Sequence, residues 1–224
     1  MVGNDESGDI IHYYAKRALE YENIYLKPER QDCIEKSKTL LQKYFKNKSV
    51  LEIACGTGFW TEKISETAGS ILAIDINSEV LEVAKNKKYR CDVNFLLDDC
   101  FELGKADGKY DSLFAGFWFS HIPKSKIKKF FDLGLGKLNE NGLLVFMDNI
   151  YVEGSSTPIS GFDAEGNSYQ TRELKDKSRY EVLKNFYNEN ELKGYFDNYL
   201  GFTDVVNLKY FWIVSHAKTP PEHL

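Results

Sequence analysis

Long apolar runs are missing from this chain. The longest, residues 143–147 and 211–214, fall far short of the roughly 18–20 residues that cross a bilayer, so no membrane is expected as a partner. An excess of positive charge is missing too. Lys and Arg number 29 against 34 Asp and Glu, a formal net charge of −5. That balance suits neither broad contact with a phosphate backbone nor an anionic membrane face, and nucleic acid is not an expected partner. The lysine runs at 85–88 and 124–129 sit on helix-like segments, where a solvated face is the ordinary explanation. Residues 1–10 are polar and acidic and lack the basic-then-apolar pattern of a secretory leader, so a cytoplasmic location is expected. Cys33, Cys55, Cys91 and Cys100 form no CxxC pair, and His12, His121, His216 and His223 do not cluster with them. A metal site is therefore not expected, and free thiols in a reducing compartment are the plain reading. No GxxxxGK segment is present, which excludes a P-loop. Internal repeats and low-complexity tracts are absent.

What is there supports one folded domain. The chain has 224 residues, of which 42% are hydrophobic and 28% charged, enough for a real core. Residues 11–22 read as a helix rich in tyrosine. Pro28 suits the first turn of a second helix running to about residue 44, since its missing N–H would be unpaired there. Short apolar strands follow at 50–54, 70–76, 93–97, 110–115 and 143–148, separated by helical segments, the last of them an amphipathic stretch at 124–138. Nearly all-apolar strands alternating with helices imply a parallel sheet covered on both faces. The rhythm breaks after Asp148. Residues 150–180 carry the turn-rich Asp163-Ala164-Glu165-Gly166-Asn167 and read as an inserted hairpin or flap. Asn188 with Glu191 resembles a capping box, with Gly201 at the far end of that helix. Residues 202–217 read as two strands so closely spaced that they must be antiparallel.

One segment carries chemistry. Glu52-Ile53-Ala54-Cys55-Gly56-Thr57-Gly58 ends a strand and opens a helix, and glycines at such a turn let backbone approach a ligand closely. Thr61 stands where a dinucleotide fingerprint has its third glycine. Taken alone, the segment also admits a second reading, a tight turn in an unremarkable α/β protein. Asp75 ends the next strand, where a carboxylate accepts hydrogen bonds from ribose hydroxyls. Asp98-Asp99 ends the third. Acids at three successive strand ends line the sheet edge at which open α/β sheets bind ligands.

These motifs resemble those of class I S-adenosylmethionine-dependent methyltransferases, over about residues 45–217. Segments 50–58, 71–77, 94–100, 110–123 and 142–149 are similar to successive strand motifs of that family. The stretch from Asp148 to Pro158 looks like a subgroup of small bacterial-type members. The resemblance implies an α/β, three-layer Rossmann-like sandwich with a seven-stranded, mostly parallel sheet in the order 3-2-1-4-5-7-6, the last strand antiparallel. It implies N-terminal helices (1–45) forming a lid, a methyltransferase domain (46–217) with the insert at about 150–180, and a tail (218–224). The implied cofactor is S-adenosyl-L-methionine, leaving as S-adenosyl-L-homocysteine. Gly56 and Gly58 would lie under its methionine part, with Glu52 or the backbone at Ala54 at its ammonium. Asp75, beside Ile76, would hold the ribose. Asp99 or Asp98, with Cys100, would meet the adenine, and the main chain at Phe117 would pass the sulfonium.

The same resemblance places a small-molecule acceptor above strands four and five. Trp118 and Phe119 are candidates for an aromatic wall, Asn149 for an acceptor hydrogen bond, and Tyr13 and Tyr14 for contacts from the lid. His121 is the candidate general base, because imidazole titrates near neutrality. Arg30 and Arg172 are candidates for binding a carboxylate, and Trp60 for the border of the methionine pocket. Methyl transfer to an O or N nucleophile needs in-line placement at about 3 Å and exclusion of water, by a monomer or a homodimer. Two other readings stay open on the sequence: a cofactor-binding module without activity, and an NAD or nucleotide-sugar enzyme on a similar sheet.

Overall fold

The computed structural model describes residues 13, 14, 16, 17 and 21–218. The segments 1–10 and 219–224, and residues 11, 12, 15 and 18–20 of the expected helix at 11–22, lie outside the described residues; Tyr13, Tyr14, Lys16 and Arg17 are helical. Two 3-10 turns, Tyr21–Leu26 and Pro28–Arg30, lead into helix α1 (Gln31–Phe45), which buries Ile34, Leu41 and Phe45 along one stripe. Then come β1 (Ser49–Ile53), α2 (Phe59–Ser65), β2 (Ser70–Asp75), α3 (Ser78–Lys85), β3 (Asp92–Leu97) and β4 (Tyr110–Gly116). Two more 3-10 turns, Phe119–His121 and Lys124–Lys126, precede α4 (Ile127–Gly136) and β5 (Leu138–Asn149).

The second half adds β6 (Gly161–Phe162), β7 (Ser168–Glu173) and β8 (Arg179–Leu183), then α5 (Glu189–Gly194), β9 (Gly201–Asn207) and β10 (Phe211–Lys218). Seven strands form one sheet in the order β3-β2-β1-β4-β5-β10-β9. Counted along the chain within that sheet, this is the order 3-2-1-4-5-7-6. Strands β1 to β5 pair in parallel, and β10 runs antiparallel to both β5 and β9. The sheet is thus the Rossmann-like one implied by the motifs.

Period-two alternation splits the side chains between two cores. Leu51, Leu113, Phe146 and Trp212 belong to one, with Phe130 and Phe131 of α4. Val50, Phe114, Val145 and Phe211 belong to the other, with Leu41 and Phe45 of α1. A parallel sheet needs both faces covered, because its helical crossovers pack there. The sheet's C-terminal edge is left for the connecting loops.

Strands β6, β7 and β8 make a separate antiparallel sheet. Its end is stitched to the 3-10 turn after β4: Asn185 N–H donates to Ser120 O at 2.8 Å, and Asn185 Nδ2 to Ile122 O at 3.2 Å.

Some local expectations shift. The amphipathic stretch at 124–138 divides, because Leu138 already pairs with Tyr110 and so belongs to β5. The capping box at Asn188 forms, with Glu191 N–H bound to Asn188 Oδ1 at 3.0 Å. Gly201 does not close that helix, which ends at Gly194; it opens β9 instead. The reason is steric. At φ +150°, a Cβ on Gly201 would stand 2.3 Å from Ala217 O and 2.6 Å from the His216 ring. Gly201→Ala is expected to destabilise the protein by about 1–3 kcal/mol. Urea unfolding should show a lower midpoint at an unchanged slope, and an unaltered midpoint would contradict this role.

Candidate active site

The loops above the C-terminal ends of β1, β2 and β4 enclose a cleft of about 890 Å³, its open mouth included. Its floor is the turn after β1. Ala54, Gly56 and Gly58 have φ of +51°, +77° at Gly58 and +55° at Gly56, so the chain turns sharply and presents backbone to the cleft. Gly58 itself does not border the cleft; a Cβ there would press on Tyr89 Oη at 2.6 Å and Ala84 Cβ at 3.0 Å, so this glycine lets α2 approach α3. Phe117, just after β4, is also left-handed at φ +59°, its N–H bound to Met147 O at 2.6 Å. Non-glycine residues in that region cost about 1–3 kcal/mol each and gather at binding sites.

Asp75 ends β2 inside the cleft. Gly56 N–H donates to its Oδ2 at 2.8 Å and Asn77 N–H to its Oδ1 at 2.9 Å. Both oxygens are thereby aimed, and each keeps acceptor capacity. Burial raises the carboxyl's pKa, against the pull of these N–H groups. Glu52 points into the same cleft from β1. It is buried, and its Oε2 has no hydrogen-bond partner among the described residues. Burial first, and the neighbouring Asp75 charge besides, push its pKa up to about 8. An unpaired buried carboxyl next to a second acid is a place for a cation.

Ile76, Asn77, Val80 and Cys100 border the far end of the cleft. Asp98 and Asp99 do not border it. Asp98 accepts from Asp99 N–H at 3.0 Å and Lys105 N–H at 2.9 Å, and Asp99 from Phe101 N–H at 2.8 Å. Both brace their own loop. At the other end Tyr25 stacks on Phe59 at 3.9 Å between centroids, with Trp60 edge-on at 6.0 Å and Phe117 at 5.8 Å. Sequence reading missed Tyr25, whose only signal was a tyrosine ahead of Pro28. Trp118 borders the cleft and packs on Phe130 at 4.9 Å. Phe119 turns away into the core against Phe131, Phe146 and Tyr187, because the 3-10 turn puts successive side chains on different sides.

His121 closes the cleft's upper wall. Its Nδ1 lies 2.6 Å from Leu183 O, a pure acceptor, so Nδ1 carries the proton. Its Nε2 therefore accepts from Tyr14 Oη, 3.0 Å away. Burial and the Lys184 ammonium hold its pKa well below the ordinary imidazole range. Tyr13 does not border the cleft; it packs on Tyr180 at 5.7 Å and takes a hydrogen bond from Arg17.

Beyond Tyr14 the cleft opens into a second one of about 770 Å³, with Tyr14, Tyr21, Tyr25 and Phe117 common to both. Asn149 borders this second cleft, its Nδ2 bound to Asp148 Oδ1 at 3.1 Å. Lys184, just after β8, was not legible as a site residue. Its Nζ bonds Asp148 Oδ1 at 2.8 Å and Ser120 Oγ at 2.5 Å, and Ser120 N–H donates to Asp148 Oδ2 at 2.9 Å. Both members of this ion pair are buried. Burial opposes ionisation of Asp148, yet the ammonium and these donors keep its carboxyl below the usual range. The one signal was an ionisable residue set among Val182, Leu183 and Phe186. Among the described residues no group of three or more His, Cys, Asp or Glu is disposed to hold a metal ion, and no helix is long and apolar enough to cross a membrane.

Comparison with known proteins fits this geometry. Residues 50–142 match the family model described as a methyltransferase domain. The demethylmenaquinone methyltransferase of Staphylococcus aureus is 33% identical over 82 residues, 35% of this chain and 34% of that protein; the chain spans about a third of that relative's length. Among solved structures, DhpI in complex with SAH superposes with a TM-score of 0.80 at 22% identity, covering 99% of this chain and 100% of that one. DhpI with SAM and HEP gives 0.81, again at 22% identity, covering 96% and 99%. A 1,6-didemethyltoxoflavin-N1-methyltransferase of Burkholderia thailandensis, with bound 1,6-didemethyltoxoflavin and S-adenosylhomocysteine, gives 0.64 at 12% identity, covering 98% and 91%. At these identities the superpositions establish the fold, a Rossmann-like one shared with S-adenosylmethionine-dependent methyltransferases, and the matched segment makes residues 50–142 similar to a methyltransferase domain.

Proposed function

We propose that the protein transfers a methyl group from S-adenosylmethionine to a small molecule, within the two joined clefts. The observation that carries this is the pair of carboxyls at adjacent strand ends: Asp75, aimed by two backbone N–H groups, and Glu52, buried with its Oε2 unpartnered among the described residues. A cofactor with a ribose diol and an ammonium fits those two groups and leaves no acid idle. When bound, S-adenosylmethionine supplies an activated methyl group on a sulfonium.

The chain's own residues supply position. Asp75 accepts from the ribose hydroxyls. Glu52 and the backbone at Ala54 hold the ammonium end, over the turn at Gly56 and Gly58. Ile76 and Cys100 flank the adenine, with Asp98 and Asp99 shaping the loop beside it. Phe117, Tyr25 and Trp60 wall the methyl-bearing region with aromatic faces, which favour a cation and exclude water. Tyr14, Trp118 and Asn149 border the acceptor. His121 orients Tyr14 through Nε2 and is itself fixed by Leu183 O. With one nitrogen protonated, the other occupied and its pKa depressed, His121 is a positioning residue and takes no proton from the acceptor. The acceptors named for the Burkholderia and Staphylococcus relatives are small molecules, which supports the same class here.

Three outcomes test the assignment. Asp75→Asn keeps the shape of the side chain and removes its charge, so S-adenosylhomocysteine should bind about 10–100-fold more weakly by calorimetry; an unchanged affinity would sink the ribose assignment. For Glu52 the native pKa, about 8, exceeds the ordinary 4.5, so the ligand-free protein holds a proton there at pH 7. Stability at this site is then full below about 4.5 and declines as pH rises toward 8. A cation at Glu52 reverses this preference, and calorimetry in buffers of differing ionisation enthalpy should show up to about one proton released on binding at pH 7. Glu52→Gln should abolish that release. Finally, His121→Asn should lower kcat less than tenfold and leave its pH profile unmoved, whereas loss of a general base costs about 10²–10⁴-fold.

A further inference from the structure

The second cleft is strongly and one-sidedly charged. Arg17, Lys27, Arg30, Arg172 and Lys184 border it, and among the described residues no Asp or Glu does. Lys184 is already balanced by Asp148. The three guanidiniums have no carboxylate partner among the described residues. Arg17 donates to Tyr13 Oη at 2.5 Å, Arg30 to Ser155 Oγ at 3.3 Å and Arg172 to Gln170 Oε1 at 2.5 Å. The Nε atoms of Arg30 and Arg172 are buried and unpartnered. Arg172 and Arg30 both press on the Lys184 ammonium, adding to burial in drawing its pKa down. Like charges gathered around one half-buried cleft repel one another, so the arrangement favours the entry of an anion. These residues come from separate parts of the chain: Arg17 from the N-terminal helical segment, Arg30 from the 3-10 turn before α1, Arg172 from β7 and Lys184 from the end of β8.

Among the described residues the same cleft contains no usable base. Asp148 is buried and committed to Lys184, Ser120 and Asn149. His121 is committed to Leu183 O and Tyr14. A nucleophile methylated here must arrive already deprotonated at neutral pH. Guanidiniums and a deprotonated nucleophile call for the same chemical group.

Resting on the methyltransferase reading above, we infer that the acceptor is a small oxyanion, a carboxylate or a phosphorus oxyacid, held by Arg30, Arg172 and Lys184 and methylated on its own charged oxygen. A lone pair of that oxygen forms the new O–CH₃ bond. The methyl's bond to sulfur breaks with its electron pair going to sulfur, so the sulfonium becomes a neutral thioether. One negative and one positive charge disappear together and no proton moves. The product is a methyl ester. It carries one negative charge fewer than the acceptor, so it binds the arginines less well and leaves.

The test uses the full-length protein loaded with S-adenosylhomocysteine for binding and with S-adenosylmethionine for turnover. Malonate, benzoate, phenylphosphonate and 2-carboxyethylphosphonate are compared with malonamide, benzamide, benzyl alcohol and benzylamine. At least one oxyanion should bind at millimolar concentration or better and yield an ester, identified by carbon-13 label from the methyl donor. Carboxylate esters release labelled methanol in mild alkali and phosphonate monoesters do not, which separates the two sources. Arg30→Gln and Arg172→Gln should each raise the KM for that oxyanion about 10–100-fold, with Arg30→Lys recovering part of it. The affinity for S-adenosylhomocysteine and the melting temperature should stay as they were, which excludes a folding defect. The inference is overturned if no oxyanion binds, if neutral or cationic analogues are methylated equally well, or if the arginine variants leave KM unmoved. Failure of S-adenosylhomocysteine itself to bind the wild-type protein would instead overturn the methyltransferase reading.

Discussion

A carboxylate held by backbone N–H groups organises the ligand edge of this molecule. Asp75 takes Gly56 N–H on one oxygen and Asn77 N–H on the other. The first bond ties the turn after β1 to the end of β2; the second fixes the start of α3. Each donor sits at the end of an element whose own ladder has run out, so the side chain satisfies groups that otherwise need water. Asp98 N–H adds a bond to Asp75 O at 3.1 Å, joining the β3 loop to the same point. Three strand ends are thus fixed relative to one another before any ligand arrives, and Glu52 is left facing the space they define.

A second charged centre fixes the other half of the site. The Asp148–Lys184 pair links β5, in the main sheet, to the end of β8, in the smaller one. Buried ion pairs add little net stability, but losing one partner costs about 3–5 kcal/mol, because the remaining charge stays uncompensated. Such a pair specifies geometry more than it strengthens the fold. Here Ser120 contributes both N–H and hydroxyl, so the turn carrying His121 is drawn into the same arrangement. The position of Tyr14 over the cleft follows from that chain of contacts.

The parallel sheet was legible because its strands are short, apolar and separated by helical periods, and because Gly56 and Gly58 punctuate the first crossover. Asp75 was legible by its place at a strand end. Asp98 and Asp99 shared that place but turned their oxygens to local backbone, a choice set by the tight loop to Lys105 that no spacing announces. Lys184 and Tyr25 were hidden for a different reason. Each reaches the site through tertiary packing of a segment remote in sequence, and neither lies in a motif. His121 was visible as a residue but not as an environment. Its burial, its tautomer and the nearby ammonium depend on β8 folding back over the turn after β4, which only three dimensions disclose. Gly201 looked like a helix terminator because glycine serves both ends and starts; the steric wall at Ala217 decides which.

Ala54 and Phe117 hold left-handed backbone without being glycine, and both border the first cleft. Three further non-glycine residues in this conformation, Asn47, Leu103 and Lys177, lie away from that opening. Glycine in place of Ala54 or Phe117 would relieve the main chain and remove a methyl or a ring from the cleft's walls. At these two positions an unstrained main chain and a filled cleft wall are therefore opposing quantities, set by the same pair of torsions.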